Sequence, residues 1–245
     1  MQRNEYFTKE DINRKVKLPV VNEVLAEFFG IMTGDGCMNE YLSRQAYIID
    51  ITGNSIKDLD HHKVYINNII KELFNLTPSL YFPKGQNTIH SVMRSKAIFY
   101  FLKSQGFPPG RKGEISVPEW ILGNDLYFKK FICGFFDTDG HLTLKNKEGK
   151  KYPVVGLTSI SKTLLESIQK FIINYGITSY LGTRIQKDPR FKKELIVYQL
   201  DINGKKNINL FFKEIGSNNN RNKIKFKEMG VLGIEPRTPR ASIVC

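Results

Sequence analysis

The stretch Phe28-Phe29-Gly30-Ile31-Met32-Thr33-Gly34-Asp35-Gly36 returns in the second half of the chain as Ile132-Cys133-Gly134-Phe135-Phe136-Asp137-Thr138-Asp139-Gly140. Both copies are apolar and end in Asp-Gly. Small residues fall four apart, Gly30 and Gly34 in one copy, Gly134 and Thr138 in the other. On a helix that spacing puts them on one face. Two such faces let their backbones approach closely, because no bulky side chain holds them apart. Gly36 and Gly140 suit a left-handed cap that ends a helix. Asp35 and Asp139 then stand at the C-terminal ends of two touching helices. The helix dipole disfavours a carboxylate there by roughly 0.3–1 kcal/mol, and the two charges repel each other. A cation beside them removes both penalties, so the pattern predicts a paired divalent-metal site.

Around each copy the element order repeats. In residues 21–106, Asn22 caps a helix that runs to the first Asp-Gly. Cys37–Asn39 and Ala46–Thr52 read as paired strands. Ser55 opens a long helix whose apolar positions recur at three and four, stopped by Pro78. Strands at Leu80–Phe82 and Thr88–Arg94 flank a Lys84-Gly85 turn, and Ser95 opens a helix to Gly106. Residues 126–216 follow the same course. A helix ends at Asp139, strands lie at His141–Lys145 and Val154–Ile160, and Ser161 opens a helix to Gly176. Strands at Ser179–Gln186 and Glu194–Ile202 precede a last helix to Gly216. Residues 1–20 read as an N-terminal arm and 107–125, with three prolines, as a linker. Residues 217–245 are basic, lack an apolar period, and read as an unstructured tail. The fold class expected is α+β: a duplicated αββαββα unit with two antiparallel sheets.

The two Asp-Gly segments resemble the signature of LAGLIDADG (DOD-type) homing endonucleases, in the form where one chain carries both copies. Val117-Pro118-Glu119-Trp120-Ile121 is similar to the segment before the second signature in archaeal and intein-type members. The resemblance covers about residues 21–216. It implies that the signature helices form the interface and that the two sheets make a saddle along DNA. It also implies hydrolysis of one phosphodiester bond in each strand with Mg2+ or Mn2+. Asp35 and Asp139 fall at the position that supplies metal-binding carboxylates. Thr33 replaces an aspartate often found two residues earlier, whereas Asp137 keeps it. Residues near the attacking water would be Thr52 and Arg94 in the first half, and Thr158 or Ser159 with Gln199 in the second. Gln199 is not basic, a departure from the family pattern. His141 reads as a strand residue.

Composition agrees with a nucleic-acid partner. The formal net charge is +13, spread through the chain, which suits an anionic surface more than a tail interaction. A hydrophobic fraction of 41% is enough for a sizeable core. In Ser179–Gln186 the alternation turns Leu181 and Ile185 to the core and Tyr180, Arg184 and Gln186 outward. In Thr88–Arg94 it sets His90, Val92 and Arg94 on one side. Lys84, Arg94, Tyr180, Arg184, Gln186 and Lys187 are therefore the expected DNA-contacting residues, with arginine and glutamine suited to base edges and lysine to phosphates.

The expected partner is double-stranded DNA with a long, loosely palindromic site, bound by a monomer, with intron RNA as a further option. The rival reading is a protein that binds nucleic acid without cutting it, such as an intron maturase or a transcription regulator. Both signature aspartates are present, which favours cleavage. There is no membrane span, no secretory signal and no zinc spacing among the three cysteines. A reducing interior is expected, a prokaryotic (archaeal-like) cytoplasm or alternatively an organelle.

Overall fold

In the computed structural model, which describes residues 5–110, 112–188 and 193–230, side-chain caps set the starts of several helices. Thr8 caps the short α1 (Lys9–Asn13), and Asn22 caps α2 (Glu23–Asp35) by accepting the Leu25 N–H. Strand β1 (Gly36–Tyr41) leaves α2 directly and pairs with β2 (Ala46–Asn54). A helical run over 59–74 follows, a wider π-type stretch His61–Ile66 passing into α3 (Asn67–Phe74). Then come β3 (Ser79–Tyr81), β4 (Thr88–Arg94) and α4 (Lys96–Ser104). The linker holds one helical turn, α5 (Glu119–Leu122), and Trp120 seats it with its ring 5.4 Å from that of Phe29.

The second half begins with α6 (Asp125–Asp139), capped by Asn124. It continues through β5 (Gly140–Lys147), β6 (Lys150–Ser159), α7 (Lys162–Ile173), β7 (Tyr180–Asp188), β8 (Lys193–Asn203) and α8 (Lys205–Glu214). A final helix, α9, spans Asn220–Met229. Each half builds one four-stranded antiparallel sheet, in the order β1-β2-β4-β3 and β5-β6-β8-β7. This is the duplicated α+β arrangement the sequence predicts. Ile49, Ile51, Ile89 and Met93 of one sheet, and Leu142, Val155, Leu157, Leu200 and Ile202 of the other, are buried beneath the helices. The opposite faces carry Thr52, His90, Thr158 and Gln199, which are only half-buried.

At the centre α2 and α6 touch backbone to backbone. A Cβ on Gly30 would overlap the Phe131 carbonyl and lie 2.9 Å from the Phe135 nitrogen. One on Gly134 would overlap the Glu27 carbonyl and lie 3.0 Å from the Ile31 nitrogen. Gly34 faces Thr138, whose hydroxyl is turned back onto the Phe135 carbonyl at 3.0 Å. All four small residues predicted for the interface are therefore in it.

Several expectations are corrected. Gly36 and Gly140 are not left-handed caps: their φ angles are −85° and −90°, and the chain runs straight from helix into extended strand. Glycine is needed there for space, since a Cβ would sit 2.6 Å from the Met32 Cα and 2.8 Å from the Phe136 Cα. The long helix of the first half begins at 59, not Ser55, because the Asn54 carboxamide accepts the Ile56 and Lys57 N–H groups and makes a turn. It ends at Asn75, left-handed with φ 53°, ahead of Pro78. Ile185 does not face a core but is 67% exposed. The β6–β8 ladder stops at Ser159–Tyr198, while β7 and β8 pair on to Asp188–Lys193, so Ile185 lies on a two-stranded arm beyond the helix layer.

The reading of 217–245 as an unstructured tail fails for its first part; residues 231–245 lie outside the described residues. Ser217–Asn222 are fastened to buried Asp137. Its carboxylate accepts the Ser217 hydroxyl, the Asn218 N–H at 2.6 Å, the Asn219 N–H at 3.1 Å and the Asn222 carboxamide at 3.4 Å. Asn218 also donates to Glu27 of α2 at 2.7 Å, and Asn219 to Asp58 at 3.1 Å. The segment thus staples both halves together. It has no apolar period because hydrogen bonds, not side-chain burial, attach its start.

The contact between α2 and α6 gives the first prediction. Gly134→Ala places a methyl against backbone that cannot move aside, so it should cost at least about 2 kcal/mol in urea unfolding. Gly123→Ala, at φ −74° with its nearest neighbour atom at 3.4 Å, should stay within about 0.5 kcal/mol of the parent.

Candidate active site

The α2–α6 contact ends in Asp35 and Asp139, each the last residue of its helix. Burial, then the Asp139 charge, pushes the Asp35 carboxyl up to about 7; Asp58 adds to this while Lys112 and Arg221 oppose it. Burial pushes Asp139 up to about 6 against the pull of Lys112. Desolvation thus disfavours both ionised forms, and the neighbouring charge disfavours that of Asp35 further. A bound cation relieves this condition.

Lys112, from the linker, is a cation whose charge favours the ionised forms of both carboxylates. Its ammonium donates to the carbonyls of Met32 at 3.2 Å, Thr33 at 2.8 Å and Gly34, capping the negative end of α2. Burial lowers its pKa, and the two aspartates raise it. Sequence reasoning missed this residue. It lies in a stretch without periodicity, and the only available sign was a lysine beside glycine between two repeats.

Strand register decides which other candidates reach the carboxylates. Gly36 pairs with Ile51 and Gly140 with Leu157, so Thr52 and Thr158 stand level with Asp35 and Asp139. Thr52 pairs with His90, and Thr158 with Gln199. A cavity beside Asp139 is lined by Thr158, Ser159, Lys112, Gln186 and Val197. Gln199 is tied to Asp201 by a 2.7 Å hydrogen bond, and Asp201 to Lys145 at 2.7 Å.

Arg94 does not join this group. It pairs with Ile48, four residues along β2 from Thr52, or about 13 Å at ~3.3 Å per residue. It lines a separate hollow with Arg14, whose guanidinium donates to its carbonyl at 3.3 Å. The first-half counterpart of Gln199 is His90, a position the sequence reading set on one side of the strand with Val92 and Arg94 but did not assign to the site. Its Nδ1 lies 2.8 Å from Asp50 and 3.4 Å from the Thr52 hydroxyl.

Of the expected DNA-contacting residues, Lys84 is exposed in the β3–β4 turn, and Tyr180, Arg184, Gln186 and Lys187 are exposed along β7. Gln186 reaches the cavity at Asp139. Among the described residues no group of three or more His, Cys, Asp or Glu could hold a metal ion. The chain supplies two carboxylates, and any further ligands of a cation must come from water, backbone or substrate oxygens.

The raised carboxyl pKa values set the pH dependence of stability. Between pH 4 and 7 the folded protein holds protons on Asp35 and Asp139 that the unfolded chain, at the ordinary value of 3.8, has lost. Stability without metal should therefore fall as pH rises through 6 to 7. Asp35→Asn should raise the melting temperature most at pH 8, by a few degrees, and the gain should shrink toward pH 4. Thermal melts in a chelating buffer across that range check the sign.

Comparison with known proteins agrees with this architecture. Residues 128–216 match the family model of the LAGLIDADG-like domain. A probable translation initiation factor IF-2 of Methanocaldococcus jannaschii is 28% identical over 219 residues, 87% of this chain but 16% of that protein. The ribonucleoside-diphosphate reductase NrdEB alpha subunit of Bacillus subtilis is 28% identical over 162 residues, 62% of this chain and 14% of that one. The chain thus spans about a sixth or less of these relatives' length. Among solved structures, I-DmoI in complex with DNA and Ca is similar at TM-score 0.57 and 20% identity, covering 83% of this chain and 97% of that one. I-SmaMI, a LAGLIDADG homing endonuclease bound to cleaved DNA, is similar at TM-score 0.51 and 13% identity, over 90% and 94% of the two chains. The second half thus carries a LAGLIDADG-like domain, and the duplicated fold of the whole chain is similar to that of the LAGLIDADG homing endonucleases.

Proposed function

We propose that the chain is a site-specific endonuclease that cuts both strands of duplex DNA, one phosphodiester bond per strand, with magnesium or manganese. The observation that carries this reading is the meeting of Asp35 and Asp139 at the ends of two helices in backbone contact, between two sheets with outward polar rows. Two desolvated carboxylates of raised pKa form a poor structural pair and a good seat for a divalent cation. A set of two carboxylates, completed by phosphate and water oxygens, suits hard six-coordinate ions. Structures of I-DmoI with DNA and Mn, and with DNA and Ca, support the choice of ion by likeness alone.

When bound, the metal would polarise the scissile phosphate and lower the pKa of an attacking water. The chain's own residues have narrower tasks. Asp35 and Asp139 hold the charge at the centre. Thr52 and His90 in one half, and Thr158 with Gln199 in the other, stand level with them to orient water by hydrogen bonds. Lys112 neutralises excess negative charge beside the phosphates. The β7 residues Tyr180, Arg184, Gln186 and Lys187, together with Lys84, hold the duplex. Because each half supplies its own sheet, one chain reads both half-sites and no dimer is required.

The relatives add a second support. An initiation factor and a nucleotide reductase share no reaction, yet each matches this chain over a small fraction of its length. A segment common to two proteins of unrelated reaction is poorly accounted for by either reaction. That fits a mobile module with an activity of its own, carried inside hosts, as homing requires.

Plasmid cleavage beside gel-shift binding, at one salt concentration, tests the proposal. Wild-type protein should cut a plasmid carrying the junction at which its own gene is inserted, with magnesium or manganese. Asp35→Asn and Asp139→Asn should each lower cutting by orders of magnitude while affinity changes little, since phosphate and base contacts supply most of the binding. Binding without any cutting, with either ion, would replace the endonuclease reading with the binding-only one.

A further inference from the structure

Helix α9 lies beyond residue 216, where the match to the LAGLIDADG-like domain ends. Its inner side holds Asn222, Phe226 and Met229: Asn222 and Met229 are buried, and Phe226 stacks on Phe212 with ring centres 4.0 Å apart. Arg221 and Lys225, one turn apart, share a different flank. Docking through Asp137, two residues before Asp139, points that flank at the end of α6. There a cavity of about 550 Å³ is lined by Lys57, Asp139, His141, Arg221 and Lys225. Arg221 is fixed in place by Asp58, with Nη1 3.1 Å from the carboxylate. Lys57 and Lys225 are exposed at the rim.

From this placement we infer that α9 is part of the DNA cleft, and that Lys57, Arg221 and Lys225, with His141, form a seat for one backbone phosphate beside Asp139. The inference rests on the reading of the chain as a protein of duplex DNA. The cavity gathers three basic side chains, from the turn after β2 and from α9, beside Asp139; Asp58 pairs with Arg221, and Lys57 and Lys225 stand exposed at the rim. Bringing like charges together costs free energy in the free protein, and an anion between them returns it. A backbone phosphate is the anion of matching size and charge next to a carboxylate proposed to bind metal. The opposite flank of Asp139 already has Lys112, which is anchored on carbonyl oxygens. Segments outside the two repeats would thus supply cations on both sides of the central carboxylates. The staple from Ser217 to Asn222 then has a purpose beyond joining the halves, because it fixes α9 at the distance where Lys225 reaches the cavity.

The test is the salt dependence of binding, measured by fluorescence anisotropy on a mixed-sequence duplex in a chelating buffer without divalent metal. Removing one lysine–phosphate interaction lowers the slope of log K against log salt by about 1. The double variant Lys57→Gln, Lys225→Gln should lower the slope by about 1 to 2 and weaken binding several-fold, while Lys57→Arg, Lys225→Arg should retain both. The control Lys71→Gln, Lys170→Gln removes the same charge from exposed positions on α3 and α7 and should leave the slope unchanged. A double variant with the wild-type slope, or a control that falls equally, overturns the phosphate seat while DNA binding stands. Wild-type protein that shows no salt-dependent binding overturns both this inference and the reading it rests on.

Discussion

The structure depends on one contact, the backbone-to-backbone approach of α2 and α6. Gly30 and Gly134 make it possible, since any side chain at either position would meet a carbonyl of the facing helix. The contact brings Asp35 near Asp139. Their separation in sequence is large, and each belongs to a half with its own sheet. The close approach also creates the electrostatic problem that defines the site. Two carboxylates stand desolvated at the negative ends of two dipoles, and both are pushed toward their protonated forms. A fold under selection for stability alone would replace one of them. Keeping both is intelligible if a cation resides there during function.

The two halves share topology but differ in how they compensate that charge. At the end of α2, Lys112 spans three carbonyls from outside the repeat. Near the end of α6, Asp137 is buried and holds the start of α9 through hydrogen bonds, whereas the matching Thr33 of α2 has no carboxylate to offer. The Thr33–Asp137 difference, visible in the sequence as a departure from the family pattern, thus has a structural meaning. Only the second copy needs an acceptor for the C-terminal segment.

Legibility in the sequence followed the kind of force involved. The helices, the strand pairs and the duplication were readable because burial imposes periods of 3.6 and 2 on the residues that serve it. The small residues of the interface were readable from spacing four on an apolar helix. Lys112 and the segment leading into α9 were not, because both are held by hydrogen bonds from polar groups with no period to detect. Arg94 was misplaced for a related reason: composition shows a basic residue on a strand, but only the register with β2 shows how far it lies from Asp35. The extended glycines at the helix ends show the same limit. Asp-Gly reads as a cap, whereas here the glycine is required by the Met32 and Phe136 backbones against which the strand departs.

The central claim is that the touching helix ends form one seat for divalent metal when duplex DNA is present. Electron paramagnetic resonance of manganese titrated into the protein–duplex complex measures this directly, by the loss of the free-ion signal. The account predicts saturable manganese uptake by the wild-type complex. It predicts loss of that uptake in the Asp35→Asn, Asp139→Asn double variant at unchanged DNA occupancy. Equal uptake by wild type and double variant would contradict it.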